Sequence, residues 1–121
     1  MLAIAAAATG YVGLADTVDV LDREGLALAE GGADGIHVET MSDLNEAKAA
    51  IEGARQATDL PITATMSFDT HGRTMMGVKP ENMAETIGTL DVDVLGINCG
   101  RSLEENLQAL QMLRQATDKP L

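Results

Sequence analysis

The heptapeptide Arg55-Gln56-Ala57-Thr58-Asp59-Leu60-Pro61 returns, with one change, as Arg114-Gln115-Ala116-Thr117-Asp118-Lys119-Pro120. The same offset of 59 residues lays Asp34 on Asp93, Leu44 on Leu103, Glu46 on Glu105 and Ala50 on Ala109. It also lays Glu39 on Asn98 and Thr40 on Cys99. Unless this is chance reuse of one helix-to-strand connection, the chain holds two equivalent βα units. Their strands would end in polar residues at matching positions on a common rim, as in a barrel or a doubly wound sheet.

The rest of the pattern agrees with alternation of strands and helices. Leu2 to Ala8 is a small-residue apolar run that predicts a first strand, followed by a loop from Gly10 to Gly13. Asp16 or Thr17 can cap a helix with Val18, Leu21, Gly25 and Leu28 on one face, ended by Gly31-Gly32. Gly35 to Thr40 reads as the next strand. Ser42 or Asp43 then caps a helix that buries Leu44, Ala47, Ile51 and Ala54. Pro61 to Ser67 predicts a third strand, Phe68 to Lys79 a polar loop, and Pro80 the first position of a short helix with Met83, Ile87 and Leu90 inward. Asp93 to Gly100 reads as a buried strand running into a glycine turn, because a parallel strand covered on both faces is a near-continuous apolar run. A helix with Leu103, Leu107 and Leu110 inward follows, and Pro120-Leu121 looks like a strand start. The class is therefore α/β: about four βα units of parallel sheet, part of a (β/α)8 barrel, which takes about 250 residues when complete. We read residues 1–121 as one segment of such a barrel domain, incomplete at its C-terminal end. Its open edges would allow self-association.

Eight basic against nineteen acidic residues give a net charge of -11. That opposes a nucleic-acid surface, which needs a basic stripe, and with two aromatic residues there is no platform for stacking bases. No apolar run reaches the roughly 20 residues that span a bilayer. A single cysteine excludes an internal disulfide and points to a reducing, cytoplasmic setting.

Candidate chemistry sits at strand ends. Cys99 follows Asn98 at the carboxyl end of its strand, where parallel α/β folds place their sites. By itself it is open to three roles: nucleophile, metal ligand or a small buried hydrophobe. Glu39 could hold a substrate ammonium, or be a solvated strand-end carboxylate. The loop Asp69-Thr70-His71-Gly72-Arg73 could clamp a ligand, with His71 as a candidate zinc ligand. Gly72 to Gly77 is not a phosphate loop, since no lysine–serine pair follows it.

Three blocks, in order and at consistent spacing, go further. They are Gly32-Ala33-Asp34-Gly35-Ile36-His37-Val38-Glu39-Thr40-Met41-Ser42-Asp43, then Ala64-Thr65-Met66-Ser67-Phe68-Asp69 with Gly72-Arg73-Thr74-Met75-Met76-Gly77, then Gly96-Ile97-Asn98-Cys99-Gly100. Together they resemble the zinc-dependent homocysteine S-methyltransferase family, which includes betaine–homocysteine methyltransferases and the homocysteine domain of cobalamin-dependent methionine synthase. The resemblance runs from about Glu30 to Leu121; Met1 to about Leu14 matches poorly, with Ala5 to Gly13 where the family tends to carry a Gly-Ser-x-Gly-Pro-type turn.

The resemblance implies a (β/α)8 barrel whose zinc is held by three cysteine thiolates. Cys99 matches the first; the other two belong to a Gly-Gly-Cys-Cys block beyond this stretch. It implies that Glu39 binds the amino group of homocysteine, and that Asn98, which precedes the first zinc ligand, is a substrate-binding residue with it. The implied reaction moves a methyl group to the homocysteine thiol, forming methionine, and the wording around Ser67-Phe68-Asp69 and Arg73 to Gly77 leans towards betaine as donor. With one thiolate, the 121 residues are expected to be inactive alone. The rival reading is a non-catalytic half-barrel that folds or associates without zinc. A third is an unrelated barrel enzyme using Glu39 and Asp69 as acid and base.

Overall fold

The computed structural model describes residues 3–5, 23 and 25–121. Four strands form one parallel sheet in sequential order: β1 (Ala3–Ala5), β2 (Ile36–Met41), β3 (Ile62–Met66) and β4 (Val94–Ile97). The connections carry helix α1 (Leu44–Ala57), helix α2 (Pro80–Thr86) with a 3-10 turn at Ile87–Thr89, and, after β4, helix α3 (Leu103–Ala116). Residues 25–30 are also helical, which places Gly25 and Leu28 as expected; Asp16, Thr17, Val18, Leu21 and the Gly10 to Gly13 loop lie outside the described residues.

β2, β3 and β4 each have one face against the helices. Ile36, Val38 and Met41 of β2, Ile62, Ala64 and Met66 of β3, and Leu95 of β4 are buried there. They meet Ala47, Ala50, Ile51 and Ala54 of α1, Met83 and Ala84 of α2, Ile87, and Ala109 and Leu113 of α3 in one cluster. Burying each large apolar side chain is worth about 1.5–3 kcal/mol, so this layer supplies most of the drive to fold. The opposite face carries His37, Glu39, Thr63, Thr65 and Gly96, none of them fully buried. The strands therefore alternate, and the expectation of a β4 buried on both faces is corrected: Leu95 alone of its four residues is fully buried.

The 59-residue repeat is also structural, and several of its bonds recur. Asp43 caps α1 by accepting from the N–H groups of Asn45 and Glu46 at 2.8 and 3.0 Å, and Ser102 caps α3 by accepting from Glu105 N at 3.1 Å. Thr58 Oγ1 accepts from Leu60 N, and Thr117 Oγ1 from Lys119 N, both at 3.2 Å. Arg55 donates to the carbonyls of Thr58 and Leu60, as Arg114 does to those of Thr117 and Lys119. Ile36 N donates to Pro61 O at 2.8 Å, and Leu95 N to Pro120 O at 3.0 Å, so Pro120 enters beside β4 as Pro61 enters beside β2.

Two expectations change. The loop after β3 is not polar throughout: Phe68 lies in it with its side chain in the core at 1% exposure, and Thr74 is fully buried, its Oγ1 accepting from Met76 N and Val78 N in a tight turn. On α3, Leu103 and Leu107 point outward at 86% and 53% exposure, while Ala109 and Leu113 face the sheet. The helix has two apolar stripes, and spacing does not say which meets the sheet.

Candidate active site at the carboxyl rim

β2 and β3 run in register up to Val38 opposite Ala64, then resume at Met41 opposite Met66. One residue too many lies between on β2, a bulge of the kind that re-aims side chains near functional sites. The bulge is Glu39-Thr40. Thr40 takes a left-handed backbone with φ of 58°, and its N–H donates to Thr65 Oγ1 at 3.1 Å. Fifty-nine residues on, Cys99 has the same backbone, with φ of 52°. A non-glycine residue there is strained by about 1–3 kcal/mol, and such strain gathers at functional positions.

The two distorted residues come together. Asn98 Nδ2 donates to Thr40 Oγ1 at 2.5 Å and to Cys99 Sγ at 3.5 Å, and Thr40 Oγ1 lies 4.0 Å from the same sulfur. Because Thr40 Oγ1 accepts from Asn98, its own proton is free to turn towards sulfur. Ser67 Oγ donates to the Cys99 carbonyl at 3.1 Å, and Asn98 N to Met66 O at 3.2 Å, fixing the turn from below. A Cβ on Gly100 would sit 1.7 Å from Asn106 Oδ1, so the Asn106 side chain of the following helix lies over the turn and would have to move for any larger residue. Cys99 is exposed and free.

Asn98 Oδ1 is buried without a hydrogen-bond partner, an acceptor left for a donor from elsewhere. Half-buried Glu39, in the bulge, forms no hydrogen bond or ion pair among the described residues. Deeper on the same strand face, His37 Nδ1 bonds to Thr63 Oγ1.

Glu39, Asn98 and Cys99 thus share one rim, as expected. His71 does not join them: it lines a separate hollow of about 460 Å³ with Arg73, Lys79, Glu105 and Gln108, between the loop after β3 and α3. Asp69 is engaged by Thr70 Oγ1 at 3.1 Å, and no contact ties it to Glu39. Among the described residues no three His, Cys, Asp or Glu side chains converge as a metal site. The residue that sequence reasoning passed over is Thr40. The repeat had already laid it on Cys99, and shared distortion is the reason that match matters.

A parallel βα array with an exposed thiol and, at the same carboxyl rim, a carboxylate without a partner among the described residues defines a partial TIM-barrel-like α/β protein with a candidate rim site. Its fold matches the crystal structure of the homocysteine methyltransferase MmuM from Escherichia coli in its apo form, with a TM-score of 0.81 and 21% identity, over 96% of this chain and 44% of that one. The chain belongs to the homocysteine S-methyltransferase family, whose sequence profile matches residues 4–121. It is similar to methionine synthase of Mycobacterium tuberculosis, 30% identical over 117 residues, and to that of Mycobacterium leprae, 29% identical over 108 residues. The matches cover 93% and 85% of this chain but 10% and 9% of those proteins, so the chain spans about a tenth of the curated relatives.

Proposed function

We propose that this chain carries the amino-acid-binding side and one metal-binding thiolate of an enzyme that transfers a methyl group to homocysteine, giving methionine. The observation that carries the reading is the placing of Cys99, Asn98 and Thr40 in one bonded group on the rim that also bears Glu39, which has no partner among the described residues. Glu39 receives the substrate ammonium, which supplies the counter-charge the carboxylate lacks. Asn98 offers its buried Oδ1 as a further acceptor. Together they hold one end of the substrate and leave its sulfur to be directed towards the methyl carbon, the geometric part of the rate gain.

The donor set present fits one ligand of a zinc site: an exposed free thiol held by two polar neighbours. The remaining thiolates would come from the cysteine pair that the family carries further along. Zinc, when bound, keeps a coordinated thiol deprotonated near neutral pH and leaves one position open for it. Transfer forms the sulfur–carbon bond and breaks the bond from the methyl carbon to its carrier atom, in betaine a positively charged nitrogen. The reducing cytoplasm suits a protein that must keep Cys99 as a thiol.

Calorimetric titration with homocysteine and with zinc tests this. Glu39→Gln should weaken homocysteine binding at least tenfold, and Cys99→Ser should weaken zinc binding by a similar factor. Equal homocysteine affinity in Glu39→Gln would remove the carboxylate from the site. A folded chain that takes up neither ligand would favour the non-catalytic half-barrel.

A further inference from the structure

We infer that the hollow between the loop after β3 and α3 is a binding site for a small phosphate monoester that also carries hydroxyl groups, with the phosphate on Arg73, Lys79 and His71 and a hydroxyl on Glu105. The inference rests on this hollow and not on the methyl-transfer reading.

The repeat shows what the same helix face looks like when it is scaffold alone. The residues of α3 that border the hollow are Glu105, Gln108, Ala109 and Met112, neighbours along one face of the helix. Their counterparts on α1, 59 residues earlier, are Glu46, Ala49, Ala50 and Gly53, and the last three are buried. The preceding helical segment comes so close to α1 that a Cβ on Gly25 would sit 3.1 Å from Ala57 Cβ. On α3 two of the small residues are replaced by Gln108 and Met112, and a space of about 460 Å³ lies open beside them. That volume is in the range of small-molecule sites. Both walls belong to neighbouring units of the chain, which pack on each other through α2 and α3.

The second wall is held in place before any ligand arrives. Residues 67–79 join β3 to α2, whereas residues 42 and 43 alone join β2 to α1, and connections of the longer kind are usually functional. Thr70 N donates to Arg73 O at 2.8 Å and Arg73 N to Thr70 O at 3.1 Å, with φ of 51° at His71 and 75° at Gly72. This is a tight two-residue turn with His71 at its tip. Thr74 N donates to Val78 O at 2.9 Å and Gly77 N to Thr74 O at 2.8 Å, which fixes the chain up to Lys79. A wall ordered in advance loses little freedom on binding.

Charge selects the phosphate. The chain has eight Lys and Arg against nineteen Asp and Glu, yet two of the eight and one of the two histidines border this one hollow. Lys48 pairs with Glu52, and Arg55 with Asp91 and Asp93, but among the described residues no carboxylate pairs with His71, Arg73 or Lys79. Arg73 gives one bond, from Nη1 to Gly77 O at 3.4 Å, and keeps most of its five N–H groups for a ligand. A guanidinium fork beside an ammonium suits the oxygens of one phosphate.

Glu105 selects the rest of the molecule. Ser102-Leu103-Glu104-Glu105 is a capping-box sequence, in which the glutamate would reach back to the N-cap N–H. Only the serine half forms: Ser102 Oγ accepts from Glu105 N at 3.1 Å, while Glu105 Oε2 is buried without a partner. A carboxylate released from the cap beside a cationic hollow repels a bare anion and gains from a hydroxyl donor.

The test is an NMR titration of the 121-residue chain, reading backbone amides, with ribose 5-phosphate, inorganic phosphate and glutarate as probes. Ribose 5-phosphate should shift residues 71–79 and 105–112 saturably and leave Glu39 and Thr40 in place. The double change Arg73→Gln and Lys79→Gln should weaken it by about tenfold or more, and Lys48→Gln, a cation outside the hollow, should change nothing. Glu105→Gln should weaken ribose 5-phosphate by about fivefold and leave inorganic phosphate as tight or tighter, opposite responses that a loosened helix would not give. Absence of saturable binding, shifts centred on other residues, inorganic phosphate or glutarate binding as tightly as ribose 5-phosphate, or an equal loss of both phosphates in Glu105→Gln would each overturn the proposal.

Discussion

Thr40 is a β-branched residue held at a φ of 58°, a backbone that glycine adopts without strain. The fold keeps threonine there because its hydroxyl links Asn98 to Cys99. Thr40→Gly should therefore leave unfolding free energy unchanged or raise it by up to about 1 kcal/mol in urea, while homocysteine binding falls. Thr40→Ser keeps the hydroxyl and should retain binding. If Thr40→Gly lost more than about 1 kcal/mol of stability, the hydroxyl network would be structural rather than functional. Cys99 shares the distortion, which sets its thiol out at the rim rather than in the core where a lone cysteine usually sits.

At the scale of elements, the helices are defined at their first turns. Asp43 satisfies two orphan N–H groups of α1 and Ser102 satisfies one of α3. Asp43→Ala should destabilise by about 1 kcal/mol, read as a lower urea midpoint with an unchanged slope. Ile51 is 1% exposed in the layer between α1 and the sheet, so Ile51→Ala should cost about 2–5 kcal/mol in the same measurement. The Asp43 cap and the α1 stripe were legible from sequence because they depend on neighbours three or four residues away; the Ser102 cap of α3 emerged only with the structure. The inward face of α3 was not legible. Leu103, Leu107 and Leu110 form a good apolar line, yet Ala109 and Leu113 meet the sheet. A small residue at 109 allows close approach to the sheet; larger ones suit a looser contact further out. The repeat contained the answer, since it sets Leu107 on Lys48, which no buried stripe would carry.

Over the whole molecule, one polar link between a helix and a distant connection is the clasp from Arg55 on α1 to the stretch before β4. Arg55 is 22% exposed, and its partners Asp91 and Asp93 are 76% and 52% exposed, so the ion pairs by themselves add little. The guanidinium also donates to the carbonyls of Thr58, Leu60 and Asp91, which would otherwise lose donors. Arg55→Met should cost about 1–3 kcal/mol, most of it insensitive to salt. A loss that vanished in high salt would assign the effect to the carboxylates instead. No helix among the described residues is long and apolar enough to cross a membrane.

By itself the sequence determined the alternation of strands and helices, the capped helix after β2, the 59-residue repeat, the family and the placing of Glu39, Asn98 and Cys99 at the carboxyl ends of their strands. Each of these is written in local spacing or in the wording of short blocks. The tertiary structure alone decided that β2 bulges at Glu39-Thr40, that Phe68 joins the core and that one apolar stripe of α3 faces outward. It also decided that Arg55 reaches across to Asp91 and Asp93. A bulge is fixed by the register of a neighbouring strand, and a buried face by what packs against it. Both depend on contacts between residues distant in the chain, where spacing along one dimension carries no information.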